Sequence, residues 1–108
     1  MVLMILGTPY TLERVGPEDD DMLTECDGYC DSDTKKLVVT NEETAEGRPI
    51  KDVTLFRQKQ IRHEIIHAFL AESGLEENSD WADNEEIVDW IAIQGPKLYK
   101  AWQEAGAV

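Results

Sequence analysis

Residues 55 to 70 read LFRQKQIRHEIIHAFL and decide the fold. Apolar side chains recur there at three- and four-residue spacing, which is the period of an amphipathic helix. They are Leu55, Ile61, Ile65, Ala68 and Phe69. The pattern predicts a long helix from about Asp52 to Ser73, because Gly74 can adopt the left-handed conformation that ends a helix and Leu75 can fold back onto the last turn.

The residues before this helix have the features of short strands. Val2 to Leu6 and Tyr10 to Val15 flank the turn Gly7-Thr8-Pro9, and Gly28 to Cys30 and Lys35 to Thr40 flank a turn of small polar residues. We therefore expect a small antiparallel sheet in the first forty residues, followed by a polar surface loop from Asn41 to Pro49.

Two further helices are expected after the long one. The first runs from about Asp83 to Gln94, with Asp83 or Asp80 as its N-terminal cap, and Gly95-Pro96 should end it. Lys97 to Glu104 then forms a short terminal helix. In a core this small, we expect the large side chains of Trp81, Trp90 and Trp102 to be packing residues. The fold class is α+β, as one domain over residues 1–108.

Composition excludes several classes of partner. The formal charge of −13 repels phosphate backbones and anionic lipid, so direct nucleic-acid binding is not expected, whereas a divalent cation or a basic peptide is attracted. The apolar run Met1 to Leu6 is too short for a signal peptide or a membrane span, so we expect a cytoplasmic protein without a membrane partner. Cys26 and Cys30 are then expected to be thiols.

Both histidines of the chain lie in one pentapeptide, His63-Glu64-Ile65-Ile66-His67, within the long helix. Four-residue spacing places the two imidazoles on one helix face, close enough to share a metal ion. Glu64 projects nearby and can reach a water on that metal without being a ligand. The residue types and spacing predict a Zn²⁺ site with Glu64 as the catalytic base.

The third zinc ligand should come from the next helix, since no third histidine exists. Glu85 is our preferred ligand, and Asp89, one turn later, can accept a hydrogen bond from the non-coordinating nitrogen of a ligand histidine. Glu86 is the competing candidate. It points about a hundred degrees away from Glu85 and is more naturally a capping residue.

The pair of motifs HExxH and NExxxD resembles the gluzincin metallopeptidases. The short chain and the run Asp89-Trp90-Ile91-Ala92 are similar to the ImmA/IrrE group of small bacterial and phage metallopeptidases, and the HEIIHAFL helix resembles small uncharacterised phage proteins. The resemblance implies a minimal zincin fold, with Glu85 as third ligand and Asp89 as its partner in the outer coordination shell. The short chain leaves little room for a substrate cleft.

These observations predict a zinc-dependent hydrolase of peptide bonds, whose partner is a peptide or protein substrate. Glu64 takes a proton from water and passes it to the leaving amine. An exposed strand edge at Lys35 to Thr40 could hold the peptide. Tyr10, Tyr29 and Tyr99 are candidates for stabilising an oxyanion. Two alternatives stay open: a non-catalytic zinc-binding protein-interaction module, and a metal hydrolase acting on another substrate.

Overall fold

The computed structural model describes residues 1–108 and confirms an α+β fold. Its strands are β1 Val2–Ile5, β2 Thr8–Val15, β3 Gly28–Asp31, β4 Lys36–Thr40, β5 Thr44–Ala45 and β6 Arg48–Pro49. Its helices are α1 Val53–Glu72, α2 Leu75–Asn78 and α3 Glu85–Glu104, with short 3₁₀ turns at Asp21–Thr24 and Asp80–Asp83. The loop expected from Asn41 to Pro49 contains the small β5–β6 ribbon.

The main sheet is mixed, so the expectation of an antiparallel sheet is wrong. Its order is β1-β2-β4-β3, and β2 and β4 pair in parallel. The predicted β1–β2 and β3–β4 hairpins are both present. The run Leu37-Val38-Val39-Thr40 is buried at every position, and a strand that is apolar on both faces belongs in the interior of a sheet. β4 therefore lies between β2 and β3, parallel to β2.

The interior position of β4 corrects a second expectation. Residues 35–40 were predicted to offer an exposed strand edge, but β4 is paired on both sides. The open edges of the sheet belong to β1 and β3. Of these, β3 lies against α1, and it is the edge that matters for the site described below.

Helix α1 begins and ends within one residue of its predicted limits. The side chain of Asp52 accepts a hydrogen bond from the Leu55 backbone N–H at 3.0 Å, and Gly74 follows the helix with φ +80°. Such a carboxylate cap satisfies an N–H group that has no partner within the helix.

Helix α1 packs through two faces, not through one stripe. Ala68 is buried against the sheet with Tyr10 and Leu37, whereas Leu70 is buried against Val88 of α3. Ile65 and Ile66 pack, respectively, on these two clusters. In contrast, the side chains of Leu55 and Phe69, which the periodicity had assigned to the core, are exposed. A helix between two layers has no single apolar stripe, so the three- and four-residue spacing does not identify its buried residues.

Gly95-Pro96 does not end the second helix, as had been predicted. Helix α3 continues through Pro96 to Glu104. Proline cannot donate the backbone hydrogen bond that the carbonyl of the residue four positions earlier normally accepts. Here that carbonyl belongs to Ala92, and it accepts a 2.6 Å hydrogen bond from Nε of Arg62. A side chain of α1 thus replaces the missing backbone donor.

The three tryptophans are not core residues, which overturns a further expectation. Trp81, Trp90 and Trp102 are 46%, 58% and 49% exposed. The core is built instead from smaller aliphatic side chains and from Tyr10. None of the helices combines the length with the apolar character needed to cross a bilayer.

Candidate metal centre

His63 and His67 lie one turn apart on α1, and their rings converge. The distance between the two Nε2 atoms is 3.2 Å, and the ring centroids are 4.9 Å apart in an edge-to-face arrangement. The four-residue spacing stacks them on one face, as expected for a helix. Both side chains are mostly buried. Their two nitrogens therefore face one point at the surface of α1.

Glu85, the first residue of α3, completes this group. The N-terminal cap of α3 is Asn84, not Asp83 or Asp80 as predicted: its side chain accepts from the Ile87 backbone N–H at 3.0 Å, which fixes where the helix begins. Glu85 Oε2 then lies 2.9 Å from His63 Nε2, and Oε1 lies 3.0 Å from His67 Nε2. One ligand atom from each residue falls within 4.8 Å of the others. Glu86 does not take part.

The donor set and its spacing fit a zinc ion. Two imidazole nitrogens and one carboxylate oxygen are a ligand set that catalytic zinc uses with a fourth position open. Two nitrogens on one tetrahedral zinc lie about 3.3 Å apart, close to the 3.2 Å between the Nε2 atoms of His63 and His67. The contacts from Glu85 need to lengthen by only a few tenths of an ångström.

Asp89 lies behind His63. Its Oδ1 is 3.4 Å from His63 Nδ1 and 3.4 Å from Nζ of Lys59. A hydrogen on Nδ1 that points to a carboxylate leaves Nε2 with its lone pair, which is the tautomer a metal requires. Asp89 thus occupies the position that the sequence predicted for an outer-shell partner of His63, and Lys59 supplies it with a counter-charge.

Glu64 is buried, with only 3% of its surface exposed. Its Oε2 accepts a 2.6 Å hydrogen bond from Nε2 of Gln60, one turn earlier on α1. Burial raises the pKa of Glu64 to about 7, against the opposing effect of the Gln60 hydrogen bond, and the nearby charge of Glu85 raises it further. A carboxyl group with a pKa near neutrality is suited to accept and return a proton.

Sequence reasoning missed two residues that shape the surroundings of Glu64. One is Gln60, described above. The other is Gly28, where β3 passes close to α1: a Cβ at this position would lie 3.1 Å from Glu64 Oε2, 3.0 Å from Gln60 Nε2 and 2.9 Å from the carbonyl oxygen of Val38. A glycine within a strand often indicates such a close approach, so a signal for Gly28 was present in the sequence.

His63, His67 and Glu85, here called the metal-ligand group, line a cleft of about 490 Å³. This volume is within the usual size of small-ligand sites. The cleft is larger than the chain length had suggested. No lysine or arginine lines the cleft, whereas six carboxylates do: Asp27, Glu64, Glu76, Asp83, Glu85 and Asp89. Cys26 and Cys30 also line it, and both are free thiols outside the metal-ligand group. The cleft is therefore strongly acidic.

The three tyrosines considered for an oxyanion role lie in different surroundings. Tyr29 lines the cleft, and its hydroxyl donates to Asp20. Tyr10 is completely buried in the core and donates to Glu72 at 2.6 Å. Tyr99 is exposed on the C-terminal half of α3. Only Tyr29 lies at the candidate site.

Comparisons with protein-family models, with curated proteins and with solved structures find no match to this chain.

Proposed function

We propose that the protein is a zinc-dependent hydrolase of peptide bonds with a minimal zincin arrangement. The observation that carries the proposal is the convergence of His63, His67 and Glu85 next to the buried carboxyl group of Glu64, in one cleft. Two helices and one strand edge build this site: α1 supplies both histidines and the base, α3 supplies Glu85, and β3 forms one wall. A cytoplasmic location stays a prediction.

In this proposal, His63, His67 and Glu85 hold the zinc ion. Zinc at such a site lowers the pKa of water bound to it and polarises a carbonyl group. Asp89 orients the ring of His63 through Nδ1. Because the three ligands come from two separate helices, the packing of α3 on α1 determines whether the site can form.

Glu64 acts as general base and then as general acid. Its carboxylate accepts a proton from the attacking water, and the same group returns a proton to the nitrogen of the leaving amine. Gln60 holds one oxygen of Glu64 by a 2.6 Å hydrogen bond, which restricts rotation of the carboxylate. The second oxygen is then left for the water.

The open edge of β3 is the element suited to bind an extended peptide. Tyr29 pairs with Val38 and Asp31 with Lys36, while Thr40 N–H donates to the carbonyl of Asp27 at 2.8 Å. Residues alternate in an antiparallel ladder, so the backbone groups of Cys30 point to the open side. A peptide can add there as a further strand, with its scissile bond toward the metal-ligand group.

The charge of the cleft favours basic substrates. The side chains of Asp27, Glu76 and Asp83 line the cleft without a hydrogen bond or an ion pair to another side chain. These three carboxylates and Glu85 together carry more negative charge than the two positive charges of a zinc ion offset, so an acidic peptide is repelled and a lysine- or arginine-bearing peptide is attracted.

One observation favours the alternative of a non-catalytic zinc-binding module. Glu64 is 3% exposed and already hydrogen-bonded to Gln60, whereas a base must reach a water molecule. In such a module the zinc would hold α3 on α1, and the acidic surface would bind a protein partner. A metal hydrolase acting on another substrate shares the same ligands, because the ligands do not specify the substrate.

Glu64→Gln separates the enzyme from the module. The purified protein should bind about one zinc per chain, measured by elemental analysis after reconstitution, and His63→Ala should lose it. Glu64→Gln should keep zinc but lose cleavage of a lysine-rich peptide library by at least about a thousandfold. A module predicts no cleavage by either protein. Absence of zinc from the reconstituted wild type would overturn both proposals.

A further inference from the structure

The outer face of α3 carries a mainly apolar seam that is half-buried at Ile91 and Gln94 and exposed at its other three positions. Its members follow one another at alternating four- and three-residue spacing: Ile87, Ile91, Gln94, Leu98 and Ala101. This is the heptad period by which two helices pack along each other. Trp90 and Trp102 flank the seam, 58% and 49% exposed, whereas α3 packs on the rest of the chain through Val88 and Ala92 on another face.

The C-terminal half of α3 also lacks a supporting layer. Every residue from Pro96 to Glu104 is exposed, including Leu98, Tyr99 and Trp102. Isolated helices shorter than about 12 residues are marginal in water, and most helices are stabilised by packing of an apolar face. A helical segment of this length with three large apolar side chains is therefore expected to have a packing partner.

Charge along α3 is divided between its two ends. The first turns carry Glu85, Glu86 and Asp89, whereas Lys97 and Lys100 are the only charged residues between Asp89 and Glu104. Parallel pairing of two copies would place the acidic ends together in a chain that already carries a charge of −13. Antiparallel pairing instead places the basic half of each helix against the acidic half of the other.

We infer that α3 binds α3 of a second copy of this chain, antiparallel and across a two-fold axis. Opposed seam positions bring Ile87 against Leu98 of the second copy and Ile91 against Gln94. In this register, Glu86 lies between Lys97 and Lys100 of the second copy. The contact is the same from both sides, as two-fold symmetry requires.

The exposed apolar surface is sufficient for a small interface of this kind. Four side chains on or beside the seam are 38% to 58% exposed: Ile87, Trp90, Leu98 and Trp102. Together they offer about 330 Å² per copy, taking aromatic side chains at about 200 Å² each. An interface at the lower end of the standard size buries about 600 Å² per partner, of which about 57% is apolar. The exposed apolar area of the seam matches that amount, and Glu85 lies on the opposite side of α3, so the dimer leaves the metal-ligand group uncovered.

Sedimentation velocity of the full chain over a range of concentrations tests the dimer. A monomer–dimer equilibrium with a Kd in the micromolar range or below is expected, with and without a chelator, since no metal is involved. Leu98→Glu should raise the Kd at least about a hundredfold, because a charge would be buried twice in the interface. The matched control is Leu55→Glu, which adds the same charge at a residue of α1 that is 62% exposed and should leave the Kd unchanged.

A charge exchange tests the antiparallel register. Glu86→Lys should raise the Kd about tenfold, and Lys97→Glu with Lys100→Glu should do the same, since each change acts twice in a symmetric pair. Combining all three changes should restore the wild-type Kd within about threefold. A wild type that stays monomeric at about 100 μM, or a dimer that Leu98→Glu does not weaken, would overturn the inference. A dimer in which the combined variant fails to recover would refute the antiparallel arrangement.

Discussion

Replacing Glu64 by glutamine should stabilise the metal-free protein at pH 8. Glu64 is 3% exposed, and its pKa is raised from an ordinary value of 4.5 to about 7. Burial, the main cause, disfavours the charged form. Glutamine is close in shape, is never charged, and can still accept the hydrogen bond from Gln60 through its amide oxygen. The substitution therefore removes a destabilising charge and keeps the contact.

The size and pH range of the effect follow from the shift in the pKa of Glu64. A raised pKa means that the folded protein binds more protons than the unfolded chain between pH 4.5 and pH 7. The stability associated with the neutral carboxyl group is fully present below pH 4.5 and is lost as the pH rises through 7. At 1.36 kcal/mol per pKa unit, the loss reaches about 3 kcal/mol by pH 8.

Urea unfolding in the presence of a chelator measures this effect. At pH 8, Glu64→Gln should unfold at a urea concentration higher by about 1 to 2 M, while at pH 4 the two proteins should differ little. The control is Glu104→Gln, which removes an exposed carboxylate at the C-terminal end of α3. It should change the free energy of unfolding by no more than about 0.5 kcal/mol at either pH. If Glu64→Gln is no more stable than the wild type at pH 8, then Glu64 is not held as a buried, proton-binding carboxyl group.

Three further predictions concern the metal and the frame that positions it. Glu85→Gln should weaken zinc binding at least about a hundredfold, measured by competition with a chelator, whereas Glu86→Gln should leave it nearly unchanged. The reverse result would show that the ligand is Glu86 and not Glu85. Arg62→Met should lower the free energy of unfolding by about 1 to 3 kcal/mol. The loss should be smaller in a Pro96→Ala background, where residue 96 again has a backbone N–H to donate to Ala92. Equal losses in both backgrounds would show that Arg62 does not replace the missing donor. Gly28→Ala should lower the free energy of unfolding by about 1 to 3 kcal/mol in urea denaturation, because the added methyl group lies too close to a backbone carbonyl. A variant with the same free energy of unfolding as the wild type would contradict this.

The sequence predicted the local elements of this fold better than their arrangement. The spacing of the histidines, the start of α1 near Asp52 and the glycine at position 74 all act within one helix, and the structure has them as expected. The order of the strands depends on how β4 is covered on both sides, which no local pattern contains. The convergence of Glu85 on His63 was expected from the need for a third ligand, not from any feature of the loop between α1 and α3.

The continuation of α3 through Pro96 shows why a local rule failed close to the candidate site. A proline in a helix interior is unfavourable because it leaves a carbonyl without its donor. That carbonyl, on Ala92, instead accepts from Arg62, which directly precedes His63 on α1. The same hydrogen bond therefore fixes the position of α3 relative to the histidines, and with it the position of Glu85 at the first residue of α3. Departures from local preference are expected where a site requires them, and this one joins the two helices that supply all three proposed ligands.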